Sequence, residues 1–197
     1  MPEGSKNPLR VYTIGHSNHT WETLLQLLQD NHIDIVGDVR SKPYSRFCPH
    51  SNKKRLERSL SNAEIHYVYL GHLVGGVPED GVYYDEKGYV LYGRLVESPR
   101  FQEGISRIEE LITQSRVVLM CAEEDPHKCH RRLLIGAVLI RNGIELWHIR
   151  KDGAIQVEHP AGFSEDLFNK LKNNQLNLFQ NSLDNQWKSP RPVLPKG

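Results

Sequence analysis

Three features of this 197-residue sequence predict an α/β sandwich. Short apolar runs alternate with stretches of helical periodicity, the order that a parallel sheet covered by helices requires. Val117-Val118-Leu119-Met120 has no polar alternation, as a central strand buried on both faces needs. The length fits as well, because at about 150 residues per domain the chain holds one domain and a tail.

After a polar arm over 1–8, expected to be disordered, Leu9 to Ile14 reads as a first strand running into Gly15-His16-Ser17-Asn18. A helix follows, with Thr20 as its cap, Glu22 in its first turn, and Leu24, Leu25, Leu27 and Leu28 along one face. Asp34 to Val39 is the second strand. Ser51 or Asn52 opens a helix through Leu56 and Leu60, and His66 to Leu70 is the third strand. Residues 75–98 form a long insertion with Tyr83, Tyr84, Tyr89 and Tyr92 around Asp85-Glu86-Lys87-Gly88, which predicts a hairpin or lid. Pro99 to Ser115 places Phe101, Ile105, Ile108, Leu111 and Ile112 at helical spacing and leads into the fourth strand, Arg116 to Cys121. Asp125-Pro126 reads as cap and first turn of one helix ending at Asn142-Gly143, before a fifth strand over Glu145 to Ile149. The expected domain, 9–160, is a Rossmann-like three-layer sandwich with a mostly parallel sheet of about five strands. Beyond 160 the composition turns to Asn, Gln, Lys and Ser with Pro190, Pro192 and Pro195. That predicts a flexible C-terminal tail over 161–197 with one short helix, Ser164 to Asn173.

Composition narrows the class. Lys and Arg number 25 against 24 Asp and Glu, apolar residues make up 38%, and mean hydropathy is −0.54, the values of a soluble globular protein. The longest apolar run, Leu133 to Ile140, is broken by Gly136 and falls far short of the roughly 20 residues of a membrane helix. No membrane partner is expected. No apolar leader follows Met1, and Cys48, Cys121 and Cys129 are too few and odd in number for a disulfide framework. A cytoplasmic location with free thiols is the expectation.

In open parallel sheets ligands bind beyond the carboxyl ends of the strands, where the strand-to-helix loops converge. Here those loops hold Gly15 to Asn18, Asp38 and Arg40, Gly71 to Gly76, and Cys121 to Arg132. The motifs Ile14-Gly15-His16-Ser17, Asp38-Val39-Arg40-Ser41 with Pro43, Leu70-Gly71 with Gly75-Gly76, and Cys121-Ala122-Glu123 followed by Pro126 and Cys129-His130-Arg131 resemble the bacterial family DUF488, a domain of unknown function. The resemblance runs from about Val11 to Ile149 and implies the fold and the site positions, but no reaction. His72 departs from the small residue expected after Gly71.

Cys121 ends a buried strand just ahead of a helix start, where free backbone amides and Arg131 favour a thiolate. The competing reading is a space-filling buried cysteine. His16 and Asp38 are candidates for acid and base work, and Arg40 and Arg131 for stabilising negative charge. Ser17, Asn18, Lys42, Arg46, Gly75, Gly76, Glu123, Cys129 and His130 are the candidate substrate or phosphate contacts. Phosphatase and rhodanese loops are excluded, because they close on an arginine soon after the cysteine, whereas here the first is Arg131. Cys121, His127, Cys129 and His130 include zinc-type ligands. Cys129 and His130 are sequence neighbours, however, and neighbours on a helix diverge, so no metal is expected. Without a Walker loop or dinucleotide fingerprint, no cofactor is indicated either.

Val39 to Ser59 carries Arg40, Lys42, Arg46, Lys53, Lys54, Arg55 and Arg58 against Glu57 alone, on a chain whose total charge is +1. Interleaved with Tyr44 and Phe47, this segment suits a nucleic-acid backbone with bases stacked on aromatics, although a solvated helix face has the same composition. In the tail, Gln175-Leu176-Asn177-Leu178-Phe179 resembles the peptide with which bacterial replication and repair proteins bind the sliding clamp. The expected function is an enzyme of nucleic-acid or nucleotide metabolism that hydrolyses a phosphodiester or N-glycosidic bond. The alternatives are a non-catalytic nucleic-acid-binding module tethered to the clamp, and a small-molecule or redox enzyme using Cys121.

Overall fold

The computed structural model describes residues 8–163 and 187–193. The arm over 1–7, the expected helix over Ser164 to Asn173 and the clamp-like peptide with Gln175, Leu176, Leu178 and Phe179 lie outside the described residues.

Five parallel strands and one antiparallel strand form a single sheet: β1 (Arg10–Gly15), β2 (Ile35–Asp38), β3 (His66–Tyr69), β4 (Val117–Cys121), β5 (Glu145–Ile149) and β6 (Ile155–Glu158), in the order β3-β2-β4-β1-β5-β6. Every residue of β2 and β4 is buried, as the unbroken apolar character of β4 requires. β6 was not expected. It returns from β5 through a turn at Gly153, whose φ of +83° is costly for a side chain, and its Ile155 and Val157 stand on the exposed side of an edge strand.

Helices cover both faces. α1 (Trp21–Asp30) starts at Thr20, whose hydroxyl accepts from the Thr23 amide, and buries Leu24, Leu27 and Leu28. With Leu56 and Leu60 of α2 (Lys53–Asn62) these pack against Tyr12, Ile14, Val36, Val118 and Met120. On the opposite face lie α3 (Gly71–Val74), α4 (Tyr92–Val96), α5 (Pro99–Gln114) and α6 (Ala137–Arg141), over Val11, Val117, Leu119 and Cys121. Alternation along β4 therefore turns Cys121 toward the α5 and α6 face. Among the described residues no helix is long and apolar enough to cross a membrane.

Three expectations need amendment. The hairpin expected within 75–98 is reduced to one antiparallel bridge, Tyr84 to Val90, and the segment then enters the core through Val90, Leu91 and Tyr92. The single helix expected after Asp125 is broken. Asp125 caps only a short turn, Pro126–Lys128, Cys129 is extended (φ −120°, ψ 139°), and a π-helical stretch, Arg131–Gly136, then runs into α6. Finally, the segment beyond 160 is not tail throughout. Phe163 is buried, and residues 187–193 fold back on the domain. There Trp187 packs edge-on to Tyr92 and donates to the Leu133 carbonyl, while the Ser189 amide donates to Val90.

Candidate functional site

β1 and β4 are neighbours, but the chain leaves β1 toward β2 and leaves β4 toward β5. Their loops diverge over opposite faces and open a crevice at the carboxyl edge, the switch point of the sheet. Register puts Gly15 opposite Cys121 and Asp38 opposite Met120, so the chemistry-bearing loops leave at one level. A side chain at Gly15 would meet the Glu123 carbonyl oxygen at 2.0 Å, which explains the glycine. The His16 and Ser17 amides donate to the Cys121 and Ala122 carbonyls at 2.8 and 2.9 Å, fastening the two loops together.

Over this crevice lies a cavity of about 440 Å³, within the size range of small-molecule sites. Of the sequence-predicted residues, His16, Arg40, Lys42, Gly76, Cys121, Glu123, Cys129 and His130 line it. Ser17, Asn18, Asp38, Arg46, Gly75 and Arg131 stand outside its lining. Sequence reasoning missed Lys128, Tyr92, Ser189 and Arg191, which also line it. Lys128 sits in the loop already singled out. Arg191 lies in a stretch whose composition gave no signal of docking.

Asp38 and Arg40 form a closed unit. Both are buried, with Arg40 Nε and NH2 donating to Asp38 Oδ1 and Oδ2 at 2.8 and 2.6 Å, and Tyr67 donating to Oδ2. Arg40 also donates to the Ser51 carbonyl and to His16 Nε2 at 3.1 Å. The carboxylate is thus committed to the guanidinium and to the Tyr67 hydroxyl. His16 Nδ1 lies 3.0 Å from the Ser17 carbonyl, so its N–H points there and Nε2 accepts from Arg40. Burial, and then the Arg40 charge, lower the His16 pKa to about 4.

Arg131 is likewise engaged within the fold. It is fully buried and donates to the Glu123 and Glu124 carbonyls and to Thr13 Oγ1. Thr13 continues through His148 to Glu158, which Arg132 grips with two nitrogens. This chain of polar groups ties β1, β5 and β6 to the start of the π-helical stretch and holds the Cys121 to Arg132 loop in place. Burial opposes ionisation of Glu158, but the hydrogen bonds from His148 and Arg132 outweigh it and hold its carboxyl at about 2.

The open groups are Cys121, Cys129 and His130, whose ligand atoms lie within 4.8 Å of one another. His130 Nδ1 is 3.7 Å from Cys121 Sγ and 3.9 Å from Cys129 Sγ. His130 Nε2 donates to the Val39 carbonyl at 3.0 Å, leaving Nδ1 with its lone pair toward the sulfurs. Cys129 is extended, not helical, so its side chain and that of the adjacent His130 do not diverge as helical neighbours would. The neighbouring Cys129 thiol, and then burial, raise the Cys121 pKa. The neighbouring Cys121 thiol, with His130 and against burial, lowers that of Cys129.

The glycines shape this corner. A Cβ on Gly76 would meet His130 Cγ at 2.6 Å, and one on Gly75 would meet Ser41 Oγ at 2.4 Å. The loop does make a tight approach, by Gly71 against the Arg40 carbonyl, while exposed His72 stacks on Tyr69. Around the mouth, Lys42, Lys128 and Arg191 are exposed, with Arg191 3.6 Å from Glu123.

No curated protein and no solved structure matches the chain. The family model described as a domain of unknown function, DUF488, matches residues 20–138, a stretch that includes Asp38, Arg40, Gly76, Cys121, Cys129 and His130. That match spans more than half of the sequence, and the chain belongs to the DUF488 family.

Proposed function

We propose that this protein is a cytoplasmic enzyme of nucleic-acid or nucleotide metabolism, active in DNA processing or repair, that hydrolyses a phosphodiester or N-glycosidic bond. One observation carries the reading: the cavity has thiols and an imidazole in its floor and exposed cations and aromatics at its mouth. A phosphate entering there meets Lys42, Lys128 and Arg191. Tyr44 and Phe47, on the same loop as Lys42, are 75% and 82% exposed, and Arg46 lies 5.0 Å over the Phe47 ring. Rings held in water beside a cationic mouth are stacking surfaces for bases. A solvated helix face accounts for Lys54, Arg55 and Arg58 but not for these rings. Cys121, Cys129 and His130 then supply the reacting groups, and Asp38, Arg40 and Arg131 hold their surroundings.

The test is binding of labelled single- and double-stranded oligonucleotides across a salt series. The double variant Lys42→Glu, Arg191→Glu is expected to bind more weakly and to lose about 2 from the salt slope, one for each phosphate contact removed. Unchanged binding overturns the reading. Cys121→Ala is expected to keep affinity and lose turnover in a screen of damaged and modified substrates. Tight binding with no product from wild type would make the protein a binding module.

A further inference from the structure

We propose that Cys121, Cys129 and His130 form a binding site for a divalent transition metal ion of the zinc class, with its fourth coordination position open to the cavity. A sulfur and a nitrogen bound to one tetrahedral zinc ion at ordinary Zn–S and Zn–N lengths stand about 3.6 Å apart. The two sulfur-to-nitrogen separations here are 3.7 and 3.9 Å. Orientation agrees with spacing. The His130 ring is fixed by its Nε2 hydrogen bond to the Val39 carbonyl, the outer-shell bond that ligating histidines ordinarily make, and this leaves Nδ1 as the free donor atom. The extended backbone at Cys129 lets two consecutive side chains reach one point. Gly76 leaves room for the ring where any Cβ would collide with it.

Charge agrees too. Two thiolates and a neutral imidazole balance a dication, so the buried cluster carries no uncompensated charge once the ion is in place. On binding, the protons still held by the thiols pass to the buffer. Among the described residues no fourth cysteine, histidine or carboxylate joins the group. Structural zinc sites close with four protein ligands, whereas catalytic ones keep a position for water or substrate. A water bound there loses its proton far more readily than free water, which is what a hydrolase needs. The site deepens the proposed function, but its test uses no substrate.

The full-length protein, reduced and stripped with a chelator, is titrated with Co²⁺ and then Zn²⁺. The expected result is a sulfur-to-cobalt charge-transfer band with the strong visible bands of a tetrahedral ion, both displaced by zinc. In parallel, alkylation mapped by mass spectrometry should show that zinc protects Cys121 and Cys129 and leaves the labelling of Cys48 unchanged. His130→Ala should weaken metal binding by about 100-fold or more, and Cys48→Ser should bind as wild type does. If His130→Ala does not fold, the footprint on the wild-type chain decides. Absence of the charge-transfer band overturns the site, as does a band that survives His130→Ala. So does a Cys121–Cys129 disulfide in a protein whose reduced form takes up no metal. Metal binding without oligonucleotide binding would keep the site and overturn the nucleic-acid reading alone.

Discussion

On one side of the cavity Asp38 and Arg40 satisfy each other almost completely, with Tyr67, Ser51 and His16 taking up what is left. On the other, Cys121, Cys129 and His130 face one another with sulfur and nitrogen lone pairs still available. Both clusters stand on the same edge of the sheet, and in the sequence Asp38, Arg40 and Cys121 read as catalytic candidates while Cys129 and His130 read as substrate contacts. What separates them is spare bonding capacity. A buried charge whose partners are all in place holds a loop still, while a group that does chemistry needs an uncommitted atom facing the cavity. Arg131 belongs with the first kind, since its nitrogens are spread over two carbonyls and a hydroxyl.

The sharpest way to break this comparison is to remove one member from each cluster. Asp38→Ala leaves Arg40 buried without its counter-charge and should cost about 3–5 kcal/mol of folding stability. Cys121→Ser removes no charge partner and should cost about 1 kcal/mol, while the proposed chemistry predicts a loss of turnover. Urea unfolding of the two variants measures both. Equal losses would mean that the thiol cluster is structural as well.

A smaller effect sharpens the role of His16. Its pKa in the folded protein is about 4, lowered first by burial and then by Arg40, against 6.5 in an unfolded chain. Between those values the unfolded chain holds a proton that the folded chain lacks, so stability falls as pH drops through that window and is complete above 6.5. The size is on the order of 3 kcal/mol, and His16→Gln should make the curve shallower there, the remaining slope coming from His19 and His148, whose pKa values burial also lowers. Glu158, held at about 2 against 4.5, loses its contribution only in a lower range, as pH falls below 4.5, so the two are separable. A wild-type curve that stays flat from pH 6.5 to 4 would show that His16 is protonated in the fold.

Local pattern explains what could be read without coordinates. The order of five strands follows from apolar runs such as Val117 to Met120 and from leucines at helical spacing, which depend on near neighbours. The carboxyl-edge placement of His16, Asp38, Gly76 and Cys121 follows from that order. Contacts far apart in sequence explain what escaped. β6 is an edge strand with Ile155 and Val157 exposed, so its burial pattern is weak. The break at Cys129 depends on a π-helical stretch held by Thr13 and on a chain of polar groups reaching Glu158, none of it visible near residue 129. For Asp38 and Arg40 the sequence shows that two charges are close and not how many partners each already has.

The smallest expected effect concerns residues 187–193, where a polar composition hid a docked segment. Trp187 anchors it through the edge-on contact with Tyr92 and the 2.9 Å bond to the Leu133 carbonyl, and the chain then carries Ser189, Pro190 and Arg191 to the cavity wall. Trp187→Phe keeps an aromatic ring against Tyr92 and loses the hydrogen bond, at a cost of about 1 kcal/mol. Because Arg191 meets Glu123 only across a long, exposed contact, its position at the mouth depends on that anchor. Trp187→Phe should therefore weaken oligonucleotide binding without reducing the cobalt spectrum of the thiol cluster. If metal uptake fell with it, the mouth and the floor of the cavity would be one mechanical unit, and the division drawn between scaffold and chemistry would have to include this strap.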